Sequence, residues 1–369
     1  MQANQKLLFT PGPLTTSPSV KEAMLRDLGS RDAEFMDVVS DIRRSLLKLG
    51  GVAEAGYETI IMQGSGTFGL EAVFSSVTPP QGHWLIIVNG VYGRRLVQIA
   101  ERLGLTVTRL DYPEDARPVS MEIEAALLEL PAVTHLALVH CETSTGMLNP
   151  VPEVGELARR SGKLFFVDAM SSFGAVPLNL AEAGIDYLVS SANKCIEGVP
   201  GFSFVLARRE ALLTTQGYAR SLSLDLLAQW QTLEATGQFR FTPPTHALLA
   251  FDQALRELND EGGVAGRAAR YSNNYETLVT GMRRLGFTEY LAPELQGYII
   301  TAFRYPEHPH WNFERFYQGL NQRGFVIYPG KVSNADCFRI GNIGRIFETD
   351  IYALLAAIEE VLGELEVEL

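Results

Sequence analysis

Cysteine is scarce in this chain: Cys141, Cys195 and Cys337 are the only three among 369 residues. An odd number at wide spacing supplies neither a disulfide framework nor a paired Cys-x-x-Cys zinc site, so the expectation is reduced, cytoplasmic chemistry with no metal. Long apolar runs are missing too, because no stretch reaches the ~18 residues that a membrane-crossing helix needs. The first ten residues carry Asn, Gln and Lys where a secretory leader would need an apolar core, which adds to the expectation of a soluble protein without a membrane partner. Positive charge is in deficit, with 31 Lys and Arg against 43 Asp and Glu and a net charge of −12. That balance opposes attraction to nucleic acid or anionic lipid, and an anionic ligand must be held by a few directed donors. Internal repeats and low-complexity tracts are absent as well. The terminal acidic stretch from Glu359 to Glu366 reads as a solvated helix face.

What is present is an ordinary globular composition, 46% hydrophobic and 20% charged, and a length beyond the ~250–300 residues at which a single core stops growing. Two domains are expected. Between residues 57 and 208, short β-branched apolar runs alternate with amphipathic stretches. The runs predict strands at 57–62, 84–89, 106–110, 135–140, 164–168, 187–190 and 202–207, with helices at 68–76, 94–103, 121–130 and 151–161. This pattern builds an α/β domain with a doubly wound, mostly parallel sheet covered on both faces. Beyond it come a Leu-rich region at 221–233, the helix-interrupting Pro243-Pro244, a helix at 247–258 and a boundary at Gly262-Gly263. The remainder predicts helices at 312–323 and 348–362 and strands at 297–304, 326–328 and 337–341, a smaller α+β domain.

Gly64-Ser65-Gly66-Thr67-Phe68-Gly69 follows a predicted strand and opens a predicted helix, so free N–H groups and the helix dipole make it a candidate phosphate site. It also matches the dinucleotide fingerprint, which wants an acidic residue ~20 positions further on. The next strand ends instead at Asn89-Gly90. The hydroxyls of Ser65 and Thr67 suit a phosphomonoester better than a pyrophosphate; a tight strand-to-helix turn without ligand is the alternative reading. Asp168 ends the apolar run 164–167, at the sheet edge where such folds bind ligands, and a carboxylate there can keep a ring nitrogen protonated. Lys194 follows the next strand, and a partly desolvated lysine at such an edge is a candidate Schiff-base amine. Alone, Asp168 reads equally as a helix cap and Lys194 as a solvated charge. Together with the glycine loop they supply the three anchors of pyridoxal phosphate, at phosphate, ring nitrogen and aldehyde.

Six segments in order carry a resemblance: Leu8-Phe9-Thr10-Pro11-Gly12-Pro13-Leu14, Gln63-Gly64-Ser65-Gly66-Thr67, His140-Cys141-Glu142-Thr143-Ser144-Thr145-Gly146, Val167-Asp168-Ala169-Met170-Ser171-Ser172, Ser191-Ala192-Asn193-Lys194 and Phe338-Arg339-Ile340-Gly341-Asn342-Ile343-Gly344. Over nearly its whole length the chain resembles the class V, fold-type I aminotransferases that depend on pyridoxal 5'-phosphate. The wording of the Lys194 and Arg339 segments is most similar to the branch moving the amino group of 2-aminoethylphosphonate to pyruvate, giving phosphonoacetaldehyde and L-alanine. The resemblance implies a large domain with a seven-stranded sheet over 16–262, a small domain over 263–369 and an N-terminal segment, 1–15, packing on the active site and the small domain.

By the same resemblance, Lys194 would bind the cofactor covalently and move the proton, and Asp168 would pair with the pyridine nitrogen. Ser65, Gly66 and Thr67 would hold the phosphate with Thr242 of a second subunit, the active site being shared in a homodimer. Tyr92 would stack on the ring where the family often has tryptophan, Thr145 and Asn193 would approach the cofactor, and Arg339 would bind the substrate carboxylate. The phosphonate would also meet Arg339, helped by the loop 10–16 or by Arg31, Arg94 or Arg240. An alanine:glyoxylate or serine:pyruvate aminotransferase of the same class is the alternative. A desulfurase would need a mobile thiol, whereas Cys337 falls in a predicted strand. His308-Pro309-His310 offers too few ligands for a metal. A DNA-reading regulator would need a basic surface and a further domain.

Overall fold

A computed structural model describes residues 6–369, so the first five residues of the expected N-terminal segment lie outside the described residues. Seven strands form one sheet: β1 (Tyr57–Gln63), β2 (His83–Val88), β3 (Thr106–Asp111), β4 (His135–Val139), β5 (Leu164–Asp168), β6 (Tyr187–Ser191) and β7 (Phe202–Arg208). Their spatial order is β1-β7-β6-β5-β4-β2-β3. Neighbours from β3 through β6 run parallel. In contrast, β7 is antiparallel to both β1 and β6. The strands at the centre are buried on both faces, which is why their sequences are continuous apolar runs.

Each face carries its own core. One gathers Ile61, Leu85, Leu136, Val167 and Leu206 under the helices Ala33–Leu49 and Thr245–Asp260, and the other gathers Ile60, Ile86, Ala137, Phe166 and Val205 under Gly66–Val77 and Val91–Arg102. Alternate residues of one strand thus feed opposite cores, as the strand's two-residue period requires. The helix Ala33–Leu49 has no counterpart among the predicted elements, although Phe35, Val39, Ile42 and Leu46 mark its buried face at helical spacing.

A second, antiparallel sheet is made of β8 (Ile300–Arg304), β9 (Tyr328–Pro329) and β10 (Cys337–Gly341), with β10 in the centre. It packs with the helices Gly263–Arg284, Phe313–Gln322 and Glu348–Glu364 around an aromatic-rich core that includes Phe287, Phe303, Phe316 and Phe338. The predicted strand 326–328 divides at Ile327. Phe325–Val326 pairs in parallel with Leu7–Leu8, and Tyr328–Pro329 pairs with Arg339 and Phe338. The predicted strand 297–304 begins only at Ile300. Residues 7–14 run from the second sheet, where the Gly341 N–H donates to the Phe9 carbonyl at 3.0 Å, to the edge of the large one, where the Pro11 carbonyl accepts from Lys194.

Candidate active site

The parallel strands bring their carboxyl ends to one edge. Asp168 closes β5 and is paired in register with Val139 of β4 and Val189 of β6. Because β7 is reversed, the connection 192–201 from β6 turns back at the same edge, and Lys194 lies in it. Ser65 caps the helix Gly66–Val77, which starts beside the end of β1. One cleft is lined by Ser65, Gly66, Thr67, Tyr92, Asp168, Asn193 and Lys194, and also by Arg95, Cys141 and Thr143.

Lys194 points under the N-terminal segment, its Nζ donating to the Pro11 carbonyl. Gly12 stands at the closest approach: its φ is +126°, and a Cβ there would lie 2.7 Å from Lys194 Nζ. Burial lowers the lysine's pKa, opposed by the charges of Tyr92, Cys195, Asp168 and Cys141. An amine held below its ordinary value has a larger neutral fraction available as nucleophile or base.

Asp168 is buried, and burial pushes its carboxyl up to about 6, against a hydrogen bond from the Met170 N–H to Oδ1 at 2.9 Å. Among the described residues its second oxygen has no hydrogen-bond donor. A buried carboxylate in that condition fits a cationic N–H such as a protonated ring nitrogen. Gly66 supplies a second fit, because a Cβ there would come within 2.3 Å of Met170 Sδ. The leading N–H groups of its helix, with the hydroxyls of Ser65 and Thr67, form an anion cradle open to the cleft. With the Lys194 amine, these residues match the phosphate, ring nitrogen and aldehyde of pyridoxal phosphate.

Tyr92 owes its position to Glu142. This buried carboxylate accepts from the N–H groups of Tyr92 and Gly93, both at 3.1 Å, and from the hydroxyl of Ser144 at 2.5 Å. It thus caps the helix Val91–Arg102. Burial raises the Tyr92 phenol's pKa, but the net direction is downward because Lys331, Lys194, the Thr143 side chain and Arg339 outweigh it. Arg95 lies over the Tyr92 ring at 4.9 Å from its centroid.

Arg339 comes from β10 and is 1% exposed. Its Nε donates to the Pro329 carbonyl at 3.0 Å and its Nη1 to the Thr143 carbonyl at 2.8 Å. Burial lowers its pKa, with Tyr92, Tyr328 and Glu142 acting in the other direction. Among the described residues no carboxylate pairs with it. A buried guanidinium without a counter-ion has a positive charge left to offer an anion.

Thr145 is buried, its hydroxyl donating to the Glu142 carbonyl at 3.3 Å, and its neighbour Thr143 lines the cleft. Thr242 is exposed and lines a separate groove with Arg31 and Arg240. Its carbonyl and that of Phe241 accept from Gln63 Nε2 at 3.3 and 3.0 Å. Arg94 pairs with Glu114 at 2.6 Å. The three cysteines are buried and free, and burial pushes Cys337 up to about 11. His140 is buried with its Nδ1 unpartnered and its imidazole pushed down to about 4.

A buried ionic cluster, which sequence reasoning missed, fixes the lysine loop. Glu197 adopts the left-handed conformation, with φ 65°, and its N–H donates to the Lys194 carbonyl at 2.7 Å. Its carboxylate accepts from Arg270 at 2.7 Å and from the Tyr271 hydroxyl at 2.6 Å, and Arg267 donates to the Cys195 carbonyl. Arg270 also donates to the Gly344 carbonyl at 2.6 Å, tying the loop to the second sheet's surroundings. Among the described residues, no group of three or more His, Cys, Asp or Glu is arranged to hold a metal, and no helix is long and apolar enough to cross a membrane.

A doubly wound sheet with a lysine and an aspartate at its carboxyl edge and a phosphate cradle beside them defines a fold-type I enzyme dependent on pyridoxal phosphate. The chain belongs to the class-V aminotransferase family, whose model matches residues 18–334. It is 53% identical over 364 residues to a 2-aminoethylphosphonate–pyruvate transaminase of Klebsiella pneumoniae, covering 98% of this chain and 99% of the relative. Among solved structures it is similar to alanine–glyoxylate aminotransferase from Nostoc sp., with a TM-score of 0.90, 28% identity and coverage of 98% and 96%. Ureidoglycine–glyoxylate aminotransferase from Bacillus subtilis shares the fold, at a TM-score of 0.91, 24% identity and coverage of 100% and 95%.

Proposed function

We propose that this protein transfers the amino group of 2-aminoethylphosphonate to pyruvate, giving phosphonoacetaldehyde and L-alanine. The observation that carries the reading is Arg339, a buried guanidinium without a counter-ion that is hydrogen-bonded to the carbonyl of Thr143 in the wall of the lysine cleft, together with 53% identity to transaminases of that name. Both the donor and the acceptor have an anionic end, and one planar guanidinium suits either in turn.

Pyridoxal phosphate, when bound, supplies the electron sink that lets a C–H bond beside nitrogen ionise. Ser65, Gly66 and Thr67 hold its phosphate, Tyr92 offers a ring face for stacking, and Asp168 keeps a proton on the ring nitrogen. Asn193 and Thr145 belong to the same cofactor environment in this reading. Lys194, poised as an amine below its ordinary pKa, takes the proton from the carbon bearing the substrate's nitrogen and returns it in the reverse sense for pyruvate. Arg339 fixes the anionic end so that this carbon stays within the lysine's reach.

The same proposal includes a cytoplasmic homodimer in which Thr242 completes the partner's phosphate site. It is supported by the exposure of Phe68 and Phe241 next to Gln63, a partly apolar face that a second copy would cover. It also includes the division at residues 15 and 262, supported by the separate cores around the two sheets.

The test is turnover of the holoenzyme with pyruvate and a panel of amino donors, with L-alanine measured for each. Alanine formation with 2-aminoethylphosphonate, and not with serine or glycine, is the expected result. Preference for serine or glycine would replace the reading with the alternative aminotransferase.

A further inference from the structure

A phosphonate carries one more negative charge and one more oxygen than the carboxylate that must use the same pocket. Arg339 brings a single positive charge, and its Nε and Nη1 are already engaged by backbone carbonyls. Arg94 is paired with Glu114, and Arg31 and Arg240 share with Thr242 the groove that the proposed dimer turns to the partner's phosphate site, not to this chain's own Arg339. From its own cleft wall the chain needs a second cation beside Arg339.

The hairpin that carries Arg339 supplies one. β9 pairs Tyr328 with Arg339 and Pro329 with Phe338, and the Gly330 N–H donates to the Cys337 carbonyl at 2.9 Å. Lys331 comes next, with its Nζ 5.5 Å from the centroid of the cleft-lining Tyr92 ring. It is exposed, and among the described residues it makes no ion pair or hydrogen bond. The backbone just beyond it is fixed: the Ser333 N–H donates to Glu114 Oε2 at 2.6 Å, and Asn334 Oδ1 accepts from the Tyr290 hydroxyl at 2.7 Å. Glu114 in turn holds Arg94. The loop is thus anchored while the lysine's four-carbon stem stays free to swing. Arg95, the other cation at the Tyr92 ring, comes from the helix beneath it and acts on Asp168, on the cofactor side of the cleft.

We propose that Lys331 is a specificity-determining residue, closing over the Tyr92 ring to give the phosphonate dianion its second positive partner and swinging back to solvent when a carboxylate occupies Arg339. The proposal rests on the aminophosphonate reading above and deepens it.

Calorimetric titration of the holoenzyme with methylphosphonate, above its second ionisation, and with acetate tests it. In Lys331→Gln, methylphosphonate binding should weaken about tenfold, the loss expected for one charge-assisted contact, while acetate binding stays within about twofold; Lys331→Arg should restore the difference. In turnover, the same change should appear in KM for 2-aminoethylphosphonate with KM for pyruvate unmoved. Equal weakening of both anions, no weakening of methylphosphonate, or a selective loss in Arg95→Gln in place of Lys331→Gln would overturn the assignment. Selective methylphosphonate binding in an enzyme that turns over only other donors would sink the substrate reading and leave the Lys331 contact standing.

Discussion

Asp168 shows a site residue working against the fold that carries it. Moving a buried carboxyl from its ordinary 3.8 to about 6 costs the folded, cofactor-free protein about 3 kcal/mol at neutral pH, at 1.36 kcal/mol per pH unit. The folded state binds this proton more tightly than the unfolded state, so the stability contributed by the group falls as pH rises from about 4 to about 6 and stays low above that. Asp168→Asn is therefore expected to raise the melting temperature of the cofactor-free protein at pH 7 and to lose that advantage towards pH 4, because the amide oxygen still accepts from Met170 and carries no charge. Cofactor affinity should fall in the same variant, and paired thermal melts and cofactor titrations would show the two effects with opposite sign. At this scale, residues whose role is written in a local motif were legible: Lys194, Asp168 and the glycine loop all reach the cleft. Lys331 and Glu197 were not, since each acquires its role from a partner distant in the chain, Tyr92 for the first and the helix bearing Arg270 for the second; Arg95 lies one helical turn from Tyr92, but no motif singles it out.

The helix Val91–Arg102 depends on one carboxylate in the same way. Removing Glu142 would leave the N–H groups of Tyr92, Gly93 and Ser144 without their acceptor. Glu142→Ala is expected to cost about 2–4 kcal/mol in denaturant unfolding, and Glu142→Gln about 1, because the amide keeps an acceptor oxygen. Gly90 sets the fit, for a Cβ there would come within 2.4 Å of the Glu142 Cδ. The carboxylate is held by several hydrogen bonds and cannot step aside, so Gly90→Ala should match Glu142→Ala. At the scale of elements, the strands of the large sheet were readable to within a residue or two, because burial on both faces of the central ones demands unbroken apolar runs. That same burial hid the direction of β7: a strand apolar on both sides looks alike whichever way it runs. The helix Ala33–Leu49 had the required spacing, but it lies ahead of the first strand, outside the alternation that organised the rest.

For the molecule as a whole, the proposed sharing of Thr242 between subunits would make assembly part of the chemistry. Phe241→Asp should place a charge in the proposed interface, shift the mass in size-exclusion with light scattering towards the 40.7 kDa of one chain, and weaken cofactor retention together with it. Full activity in a monomeric variant would remove the shared site from the scheme. The sequence showed two apolar regions and a boundary between them, and the resemblance implied that the N-terminal segment packs on the active site and the small domain; its parallel pairing of Leu7–Leu8 with Phe325–Val326, across the length of the chain, could not be read. The reversal of β7 has one more effect. The connection 192–201 returns to the edge it left, with no crossover helix in between to absorb a change of length. An inserted or deleted residue there would be passed directly to the lysine and move it against Asp168, so this loop is barred from the drift in length that surface connections ordinarily tolerate.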